Sequence, residues 1–429
     1  LLNYPAITIP LIVVGIILYV LYRRQNAGGP TSGAYPPAMA PMAGMARQDV
    51  LQGLHQHDPA FDDQAFFQRV NTAFVKIQDA WCRQKLSEVR PFISDGVHER
   101  FTLQFAEQKS QGWRDQLDNL RVINIAFAEF ETDGLFDELS VKIHAAARDY
   151  RVSLADGKPA PGPSVPNEFV EIWSFLRRRG ALTQAGRPGL IEGQCPNCGA
   201  PIELNQSANC THCKALLRSG EYDWVLSEIT QAEEWQGTRH DNVPGADALR
   251  ARDPGFNAVE MEDRASVLFW RKATADRVAR IDPLRKMATD DFCQKYAPTL
   301  RPGADGERQF FMDCAVGSVQ LRGVSSDARG DRGMIEIRWT GTRVAAAAGK
   351  PLRMIARDQL TYSQFVLWRQ PGAATDAGKG ISSAHCPNCG APASDSAANA
   401  CEFCGAVLND GAHGWALVDI HDRSVPQGG

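Results

Sequence analysis

The chain has no large excess of charge of either sign. Its 429 residues contain 46 lysines and arginines against 50 aspartates and glutamates, which gives a formal net charge of -4. Proteins that bind nucleic acid through bulk electrostatics usually carry a clear excess of basic residues, so we do not expect a nucleic-acid partner. The chain is too long for one ordinary hydrophobic core, and we expect two domains with connecting segments.

The sequence also lacks a catalytic or nucleotide-binding motif that stands above background. Its glycines lie in turns rather than between a strand and a helix, and no Ser/His/Asp arrangement is recognisable. Asp133, Asp137 and Glu138 flank a predicted hairpin turn and are interpreted as its solvated tip. Glu168 and Glu171 fall on opposite faces of one predicted strand and do not form a catalytic pair. We therefore expect a protein that is not an enzyme.

Few cysteines lie outside a repeated pattern. Cys82, Cys293 and Cys314 are expected to be small apolar core residues in a reducing compartment. The other eight form two quartets in which eleven residues separate two Cys-x-x-Cys pairs: Cys195, Cys198, Cys210 and Cys213, then Cys386, Cys389, Cys401 and Cys404. This spacing is typical of closed zinc ribbons. We predict two structural zinc sites, with iron as the competing metal and disulfides as the alternative to metal.

The residues beside the quartets fit a metal-binding knuckle. Gly199, Gly390 and Gly405 each follow a cysteine pair, where a positive φ lets backbone N–H groups point at the thiolates. Lys214 departs from this pattern in the first ribbon. His212 lies between two predicted ligands and is interpreted as a solvated histidine rather than a ligand.

The long uncharged run of the chain lies at its N-terminus. Residues 4–22 contain no charged residue and can cross a hydrocarbon core of about 30 Å, so they are predicted to form a transmembrane helix. Arg23 and Arg24 follow directly, and the positive-inside rule then places the rest of the chain in the cytoplasm. A cleaved signal peptide is the alternative. Residues 23–57 are predicted to be a flexible linker rich in Gly, Pro, Ala and Met.

The hydrophobic period then changes from helical to extended. A helix is predicted from Asp58, capped by Asp58 or Asp62, and further helices from Pro91 and over 101–117. The apolar face of the first of these helices is predicted to contain Phe66, Val70, Phe74, Ile77 and Trp81. Alternating strands are predicted over 121–131, 139–147, 168–178 and 222–229. Helices followed by an antiparallel sheet indicate an α+β domain, with the ribbon inserted before the last strand.

The same order occurs twice. Asp58-Pro-Ala-Phe61 is echoed by Asp253-Pro-Gly-Phe256, and Trp224 and Trp415 each lie eleven residues beyond the last cysteine of their quartet. We predict a duplicated module: a domain over 58–235 with a ribbon at 194–217, and a domain over 248–422 with a ribbon at 385–408. Lys272 and Asp276 stand at the positions of Ile77 and Trp81, so register or packing must differ there.

The first predicted domain resembles the Tim44-like domain, named after the matrix-side subunit that tethers the mitochondrial import motor to the inner membrane. The resemblance covers most of 58–230 and is weaker over 253–422. It implies a cystatin-like or nuclear-transport-factor-like cone, with helices packed in the concavity of a curved antiparallel sheet. The matching positions are Asp58-Pro-Ala-Phe-Asp62, the helix from Phe66 to Trp81, the turn Asp95-Gly-Val-His98, the strand from Glu168 to Arg177, and Trp224-Val-Leu.

The resemblance also implies a binding role at a membrane, because the family includes bacterial membrane-anchored proteins. We expect a single-pass protein of the bacterial inner (cytoplasmic) membrane, with its soluble domains in the cytoplasm. It would bind or scaffold membrane proteins, translocating proteins or anionic lipid, in protein transport or membrane-protein assembly. The basic run Arg177-Arg178-Arg179 is either a site for such an acidic partner or a solvated strand end. The alternatives are an enzyme or small-ligand-binding protein that uses the cone pocket, and a zinc-ribbon nucleic-acid binder.

Overall fold

A computed structural model describes residues 43–424 except 163–164, 185, 203–208, 233, 236, 238–242, 377–382 and 393–395. Among these residues no helix combines the length and the apolar character needed to cross a membrane. The predicted transmembrane segment, residues 4–22, lies outside the described residues, as does the first part of the predicted linker.

The linker prediction is wrong over its last residues, because helix α1 runs from Ala43 to His57. Val50 and Leu54 of this helix are buried in the hydrophobic core. Their spacing of four places both side chains on one helical face, and burial of that face stabilises a segment whose overall composition suggested a tether.

Two longer helices follow, with a 3-10 turn between them at Arg90–Phe92. Helix α2 (Asp63–Arg83) begins after Asp62, whose side chain accepts a hydrogen bond from the Ala65 amide at 2.9 Å. Helix α3 (Asp95–Gln111) begins after Ser94 and ends at Gly112, which has a φ of 77°. The predicted helix over 101–117 is therefore wrong at its C-terminal end, because the chain leaves the helix at Gly112 and is already extended from Trp113. The predicted core face of α2 is buried at Phe66, Val70, Phe74 and Ile77.

The helices of the first half pack on a four-stranded antiparallel sheet. Its strands are β1 (Trp113–Asp133), β2 (Phe136–Ser153), β3 (Asn167–Arg178) and β4 (Val225–Gln231), and they pair in the order β1-β2-β3-β4. The inward positions predicted for β2 are observed, since Leu139, Val141, Ile143 and Ala145 are buried, but Ser140 and Ala146 of the predicted outer face are buried as well. The first cysteine quartet lies between β3 and β4. The molecule is α+β with antiparallel sheets.

The second half repeats this order of elements. Helices α4 (Ala246–Arg252), α5 (Ala258–Val278) and α6 (Asp290–Tyr296) precede the strands, with 3-10 turns at Asp282–Leu284 and Ala297–Leu300. The strands are β5 (Glu307–Asp327), β6 (Gly330–Ala347), β7 (Arg353–Ala356), β8 (Thr361–Arg369) and β9 (Ala416–Ser424). They pair in the order β5-β6-β8-β9, with β7 also on β6, and the second quartet lies between β8 and β9.

A buried ion pair ties the start of the first half to its last strands. Asp58 accepts hydrogen bonds from Arg177 Nη1 at 2.9 Å and from the Thr183 amide at 3.0 Å, and Arg177 stacks 4.3 Å from the Trp224 ring. Burial alone would raise the pKa of Asp58, but Thr183 and Arg177 lower it below its usual value. Arg177 is therefore a core residue, and the basic run does not present three free cations.

The second half contains the same network. Asp253 accepts from Arg369 Nη1 at 2.7 Å and from the Thr375 amide at 3.1 Å, and Arg369 stacks 4.6 Å from the Trp415 ring. The four residues stand at the positions that the predicted repeat pairs with Asp58, Arg177, Thr183 and Trp224. The two sheets therefore share this network as well as their strand order.

The hairpin tip between β1 and β2 is buried, so its prediction as a solvated tip is wrong. Asp133 accepts from the Ala258 amide at the start of α5 and pairs with Arg250 Nη2 at 2.5 Å, while Asp137 contacts His57 Nδ1 at 2.7 Å. A carboxylate favours a helix N-terminus, where backbone N–H groups lack acceptors. The contacts of Asp133 bind the first half to the second.

The two halves meet through unlike surfaces. Helix α3 of the first half packs against α5 of the second, and β4 lies beside β5. The contact is polar at several points: Arg271 pairs with Glu99 at 2.8 Å, and Arg338 pairs with Glu234 at 2.6 Å. Because α5 corresponds in chain order to α2 rather than to α3, the arrangement is head-to-tail instead of two-fold.

Candidate metal centres

Each cysteine pair lies in a short turn closed by backbone hydrogen bonds. In the first ribbon the Cys195 amide donates to Ala200 O at 2.8 Å, and the Gly199 amide donates to Cys195 O at 2.8 Å. The second pair repeats this pattern with the Cys210 and Lys214 amides. The second ribbon has equivalent bonds from Cys386, Gly390, Cys401 and Gly405. Four similar knuckles therefore bring the cysteine side chains together in pairs.

The residue after each pair has a positive φ. Gly199, Gly390 and Gly405 have φ values of 74–75°, as predicted. Lys214 does not depart from the pattern, because it has a φ of 65°. Its strained backbone is supported locally: Lys214 Nζ donates to Thr211 O at 2.8 Å, and Asn209 Nδ2 donates to Lys214 O at 3.2 Å.

The four sulfur atoms of each quartet lie within 4.8 Å of one another. In the first quartet Sγ of Cys195 is 3.7 Å from that of Cys213, and Sγ of Cys198 is 3.8 Å from that of Cys210. The corresponding distances in the second quartet are both 3.7 Å. Zn–S bonds of about 2.3 Å require tetrahedral S···S edges of about 3.8 Å. The cysteines form no disulfides, and both clusters could bind a metal ion.

Side-chain amides of two asparagines also approach the sulfur atoms. Asn197 Nδ2 lies 3.5 Å from Cys213 Sγ, and Asn388 Nδ2 lies 3.5 Å from Cys404 Sγ. N–H groups directed at thiolates spread their negative charge and orient the ligands. This role was not predicted from the sequence, although the Cys-Pro-Asn-Cys motif shared by the two ribbons contains the asparagine.

The thiols of one quartet have very different proton affinities. The backbone N–H of Ala215 lowers the pKa of Cys213 to about 6, whereas burial raises the pKa of Cys195 to about 12. The second ribbon shows the same contrast between Cys404 and Cys386. A divalent cation would convert all four to thiolates and release their protons. Four protein ligands leave no open position for water, which suits a structural site.

The two quartets are the candidate metal clusters found among the described residues. His212 is exposed and belongs to neither. The comparisons with known proteins bear on the segment that precedes the first quartet. Residues 47–188 match the family model of the Tim44-like domain. This Tim44-like segment covers about a third of the chain and includes helix α1 from residue 47 onward.

Other comparisons add little. No curated protein matches the chain. Among solved structures, an Ntf2-like protein involved in plasmid conjugation is similar at 9% identity, over 69% of this chain and 88% of that chain, with a TM-score of 0.12. At that score the likeness carries no structural argument.

The first ribbon packs against helix α2 of the Tim44-like segment. Lys76 Nζ donates to Ile191 O at 2.6 Å, and Arg69 pairs with Glu192 at 3.0 Å and with Asp223 at 2.6 Å. These contacts flank the quartet on both sides in sequence. The ribbon is therefore fixed to the half that contains it.

The second ribbon is also fixed to its own half, where Lys286 Nζ donates to Ser396 Oγ at 2.6 Å, and in addition it contacts the Tim44-like segment of the other half. The Ala384 amide and His385 Nδ1 lie 2.8 and 3.0 Å from Asp95 Oδ2, and Arg218 Nη2 lies 3.0 Å from His385 Nε2. Burial would raise the pKa of Asp95, but Arg90, His385 and Arg218 hold it well below the usual range. This buried cluster, which we call the Asp95 junction, lies directly beside the ligand Cys386.

The first half also contains a cavity of about 410 Å³ between α2, α3 and the sheet, lined by residues of the Tim44-like segment and of β4. An adjoining cavity of about 560 Å³ extends toward the second half. The two share Trp81, Arg100, Gln104, Asp115, Asp149 and Gln231 as lining residues. The volumes fall within the range of small-molecule sites. Trp81, predicted as core, is therefore partly a cavity wall.

Proposed function

We propose that the protein is a non-enzymatic scaffold held at the bacterial inner membrane by residues 4–22, with two Tim44-like domains over 58–235 and 248–422 facing the cytoplasm. The observation that carries this proposal is the Tim44-like match over residues 47–188. The repeated strand order and the Asp58 and Asp253 networks support a second domain of the same kind. The partners would be membrane or translocating proteins, or anionic lipid.

We further propose that each cysteine quartet holds one structural zinc ion. The support is the agreement between the observed S···S distances and the edges of a zinc tetrathiolate. Iron would give a similar site, so metal analysis of the purified protein must distinguish the two. The ion would link the two knuckles of a ribbon that is too small to have a hydrophobic core of its own.

The membrane and partner proposals can be tested together. The full chain should sediment with membranes, and deletion of residues 4–22 should release it. In-cell crosslinking followed by affinity purification from solubilised membranes should recover specific proteins or bound lipid. The deletion variant serves as the matched control, because its partners should be lost or reduced. A chain that sediments without residues 4–22, or that recovers no partner above this control, would contradict the scaffold.

A second candidate function is the binding of a small ligand in the first half. The observation that favours it is the cavity beside Trp81 and Asp115, which contains both aromatic walls and ionisable groups. Nucleic-acid binding has no such supporting observation, and the formal net charge of -4 disfavours it.

A further inference from the structure

We infer that the cavity of the first half binds a small organic ammonium ion with an apolar body. The inference goes beyond the scaffold proposal and does not depend on it. It rests on the composition of the cavity walls, on polar groups within them that have no protein partner, and on the way in which the basic side chains are already used.

The cavity walls suit a ligand that has an apolar body and a positively charged group. Trp81 lies with its ring centroid 5.3 Å from that of Phe101, and Phe169 and Trp173 line the opposite side. Tryptophan and phenylalanine rings bury apolar surface and attract a cation over their faces. An ammonium group attached to an aromatic or aliphatic body can use both properties at once.

The polar groups left free at the cavity are acceptors. Asp115 and Asp149 are neighbours on one face of the β1-β2 pair, because Asp115 opposes Arg151 and Leu117 opposes Asp149. Asp115 accepts hydrogen bonds from Gln108 Nε2 at 2.9 Å and from the Trp81 side chain. Asp149 is exposed and has no hydrogen-bonding partner among the described residues, and the buried Oε1 of Gln104 has none either. A ligand that donates hydrogen bonds would satisfy these oxygens.

The basic groups of the cavity do not offer an equivalent site for an anion. Arg100 donates through Nη1 to Ile229 O, pairs with Glu228 at 3.4 Å and lies over the Trp270 ring. Arg151 opposes Asp115 across the strands and stacks 3.9 Å from the Trp113 ring. Its charge already acts on Asp115 and Asp149, where burial raises the pKa of both carboxyls and Arg151 lowers it. Only Nε of Arg100 is buried without an acceptor, so it could hold a ligand oxygen but not compensate a carboxylate alone.

The ionisation of the carboxylates agrees with this assignment. Burial, followed by the negative charge of Asp149, raises the pKa of Asp115 to about 6. Burial also raises the pKa of Asp149. Two carboxylates that repel each other in a partly buried cavity are stabilised in their charged form by a bound cation.

The test measures binding of phenethylamine to the full chain in detergent by titration calorimetry. Phenylacetate has the opposite charge on a similar body, and 2-phenylethanol is neutral. We expect phenethylamine to bind at least tenfold more tightly than either. Comparable binding of phenethylamine and phenylacetate, or no binding of any of the three, would overturn the inference.

Three variants locate the site. Asp149→Asn should weaken phenethylamine binding about tenfold, and Leu117→Phe should abolish it by filling the cavity. Asp118→Asn is the matched control on the same hairpin, because Asp118 pairs with Arg148 and Tyr150 and does not line the cavity. It should bind as the unmodified chain does. Equal affinity of the Asp149→Asn and unmodified proteins would contradict the assignment.

Discussion

The interiors of the two halves differ although their strands have the same register. Trp113 pairs with Ser153 in the first hairpin, and Glu307 pairs with Ala347 at the corresponding point of the second. The first half encloses a cavity at its concave face, bounded in part by Leu117. The corresponding strand residue of the second half is Phe311, whose ring centroid lies 4.7 Å from that of the buried Trp339.

A buried ion pair completes the filling of the second interior. Lys272 Nζ lies 2.8 Å from Asp276, which also accepts from the Tyr296 hydroxyl at 2.5 Å. Burial would lower the pKa of Lys272, but Asp276 and then Tyr296 raise it well above its usual value. Lys272, Asp276 and Tyr296 stand at the positions of the second half that correspond to Ile77, Trp81 and Phe101 in the first half. The difference between the halves that Lys272 and Asp276 predicted therefore lies in side-chain packing and not in strand register. The same strand order and register can accommodate an interior with a cavity, as in the first half, or a filled interior, as in the second.

The largest expected effect comes from the two ribbons. Cys195→Ser and Cys386→Ser should each remove one of two bound metal ions, because three thiolates no longer close the site. His385 of the Asp95 junction is adjacent to Cys386, whereas Arg218 lies five residues beyond Cys213, so Cys386→Ser should increase hydrogen exchange in helix α3 more than Cys195→Ser does. Metal analysis and hydrogen-exchange mass spectrometry provide the measurements. Equal protection of α3 in both variants would remove the proposed difference between the ribbons.

The carboxylates of Asp95 and Asp290 provide a second comparison. Each residue is the first of a helix, and each lies close to one end of a ribbon. Asp95→Ala leaves the half-buried Arg90 and the buried Arg218 and His385 without their carboxylate and should cost about 3–5 kcal/mol. Asp290 is about half exposed and pairs with Arg285 at 3.3 Å, so Asp290→Ala should cost at most about 1 kcal/mol. Denaturant unfolding measures both. Similar losses would show that the junction adds no stability.

The filled interior can be opened by Trp339→Ala. Trp339 is buried and donates to Ser363 Oγ at 2.8 Å, so removal of its ring should cost about 3–5 kcal/mol through lost burial and a new void. In the first half Ala145 already occupies this strand position. The midpoint of thermal unfolding measures the loss, and Leu117→Phe is the reciprocal control, which should be tolerated. A stable Trp339→Ala variant would argue that the second interior is not tightly packed.

The smallest effect concerns pH. Burial, with the nearby charges of Asp95 and Glu260, raises the pKa of Asp263 to about 7. A carboxyl with a raised pKa in the folded state contributes stability at acidic pH that is lost as pH rises through about 7. The free energy of unfolding should therefore fall by roughly 1–3 kcal/mol between pH 5 and pH 8 on account of this group. Asp263→Asn should flatten that part of the profile; an unchanged slope would exclude Asp263 as its source.

The sequence was sufficient for the features that depend on local spacing. Cysteine pairs predicted the two clusters, alternating side chains predicted β2, and the apolar face of α2 was buried as expected. The errors lie where tertiary contacts decide. From the local sequence Asp133 is predicted to be a solvated turn residue, but in the folded chain it lies at the start of a helix of the other half. The composition of helix α1 is typical of a flexible linker, and the helix is stabilised by the packing of Val50 and Leu54 on the hydrophobic core.

The head-to-tail contact between the halves has a consequence for assembly. A contact between unlike surfaces can in principle be repeated, adding one more unit at each step until a fibre forms. In the first half Thr230 of β4 is buried and donates to Val316 O of the next unit at 3.5 Å. The corresponding edge at β9 carries Asp419, His421, Asp422 and Arg423, all exposed. Charged edge strands resist further pairing, so this edge disfavours the addition of a third unit.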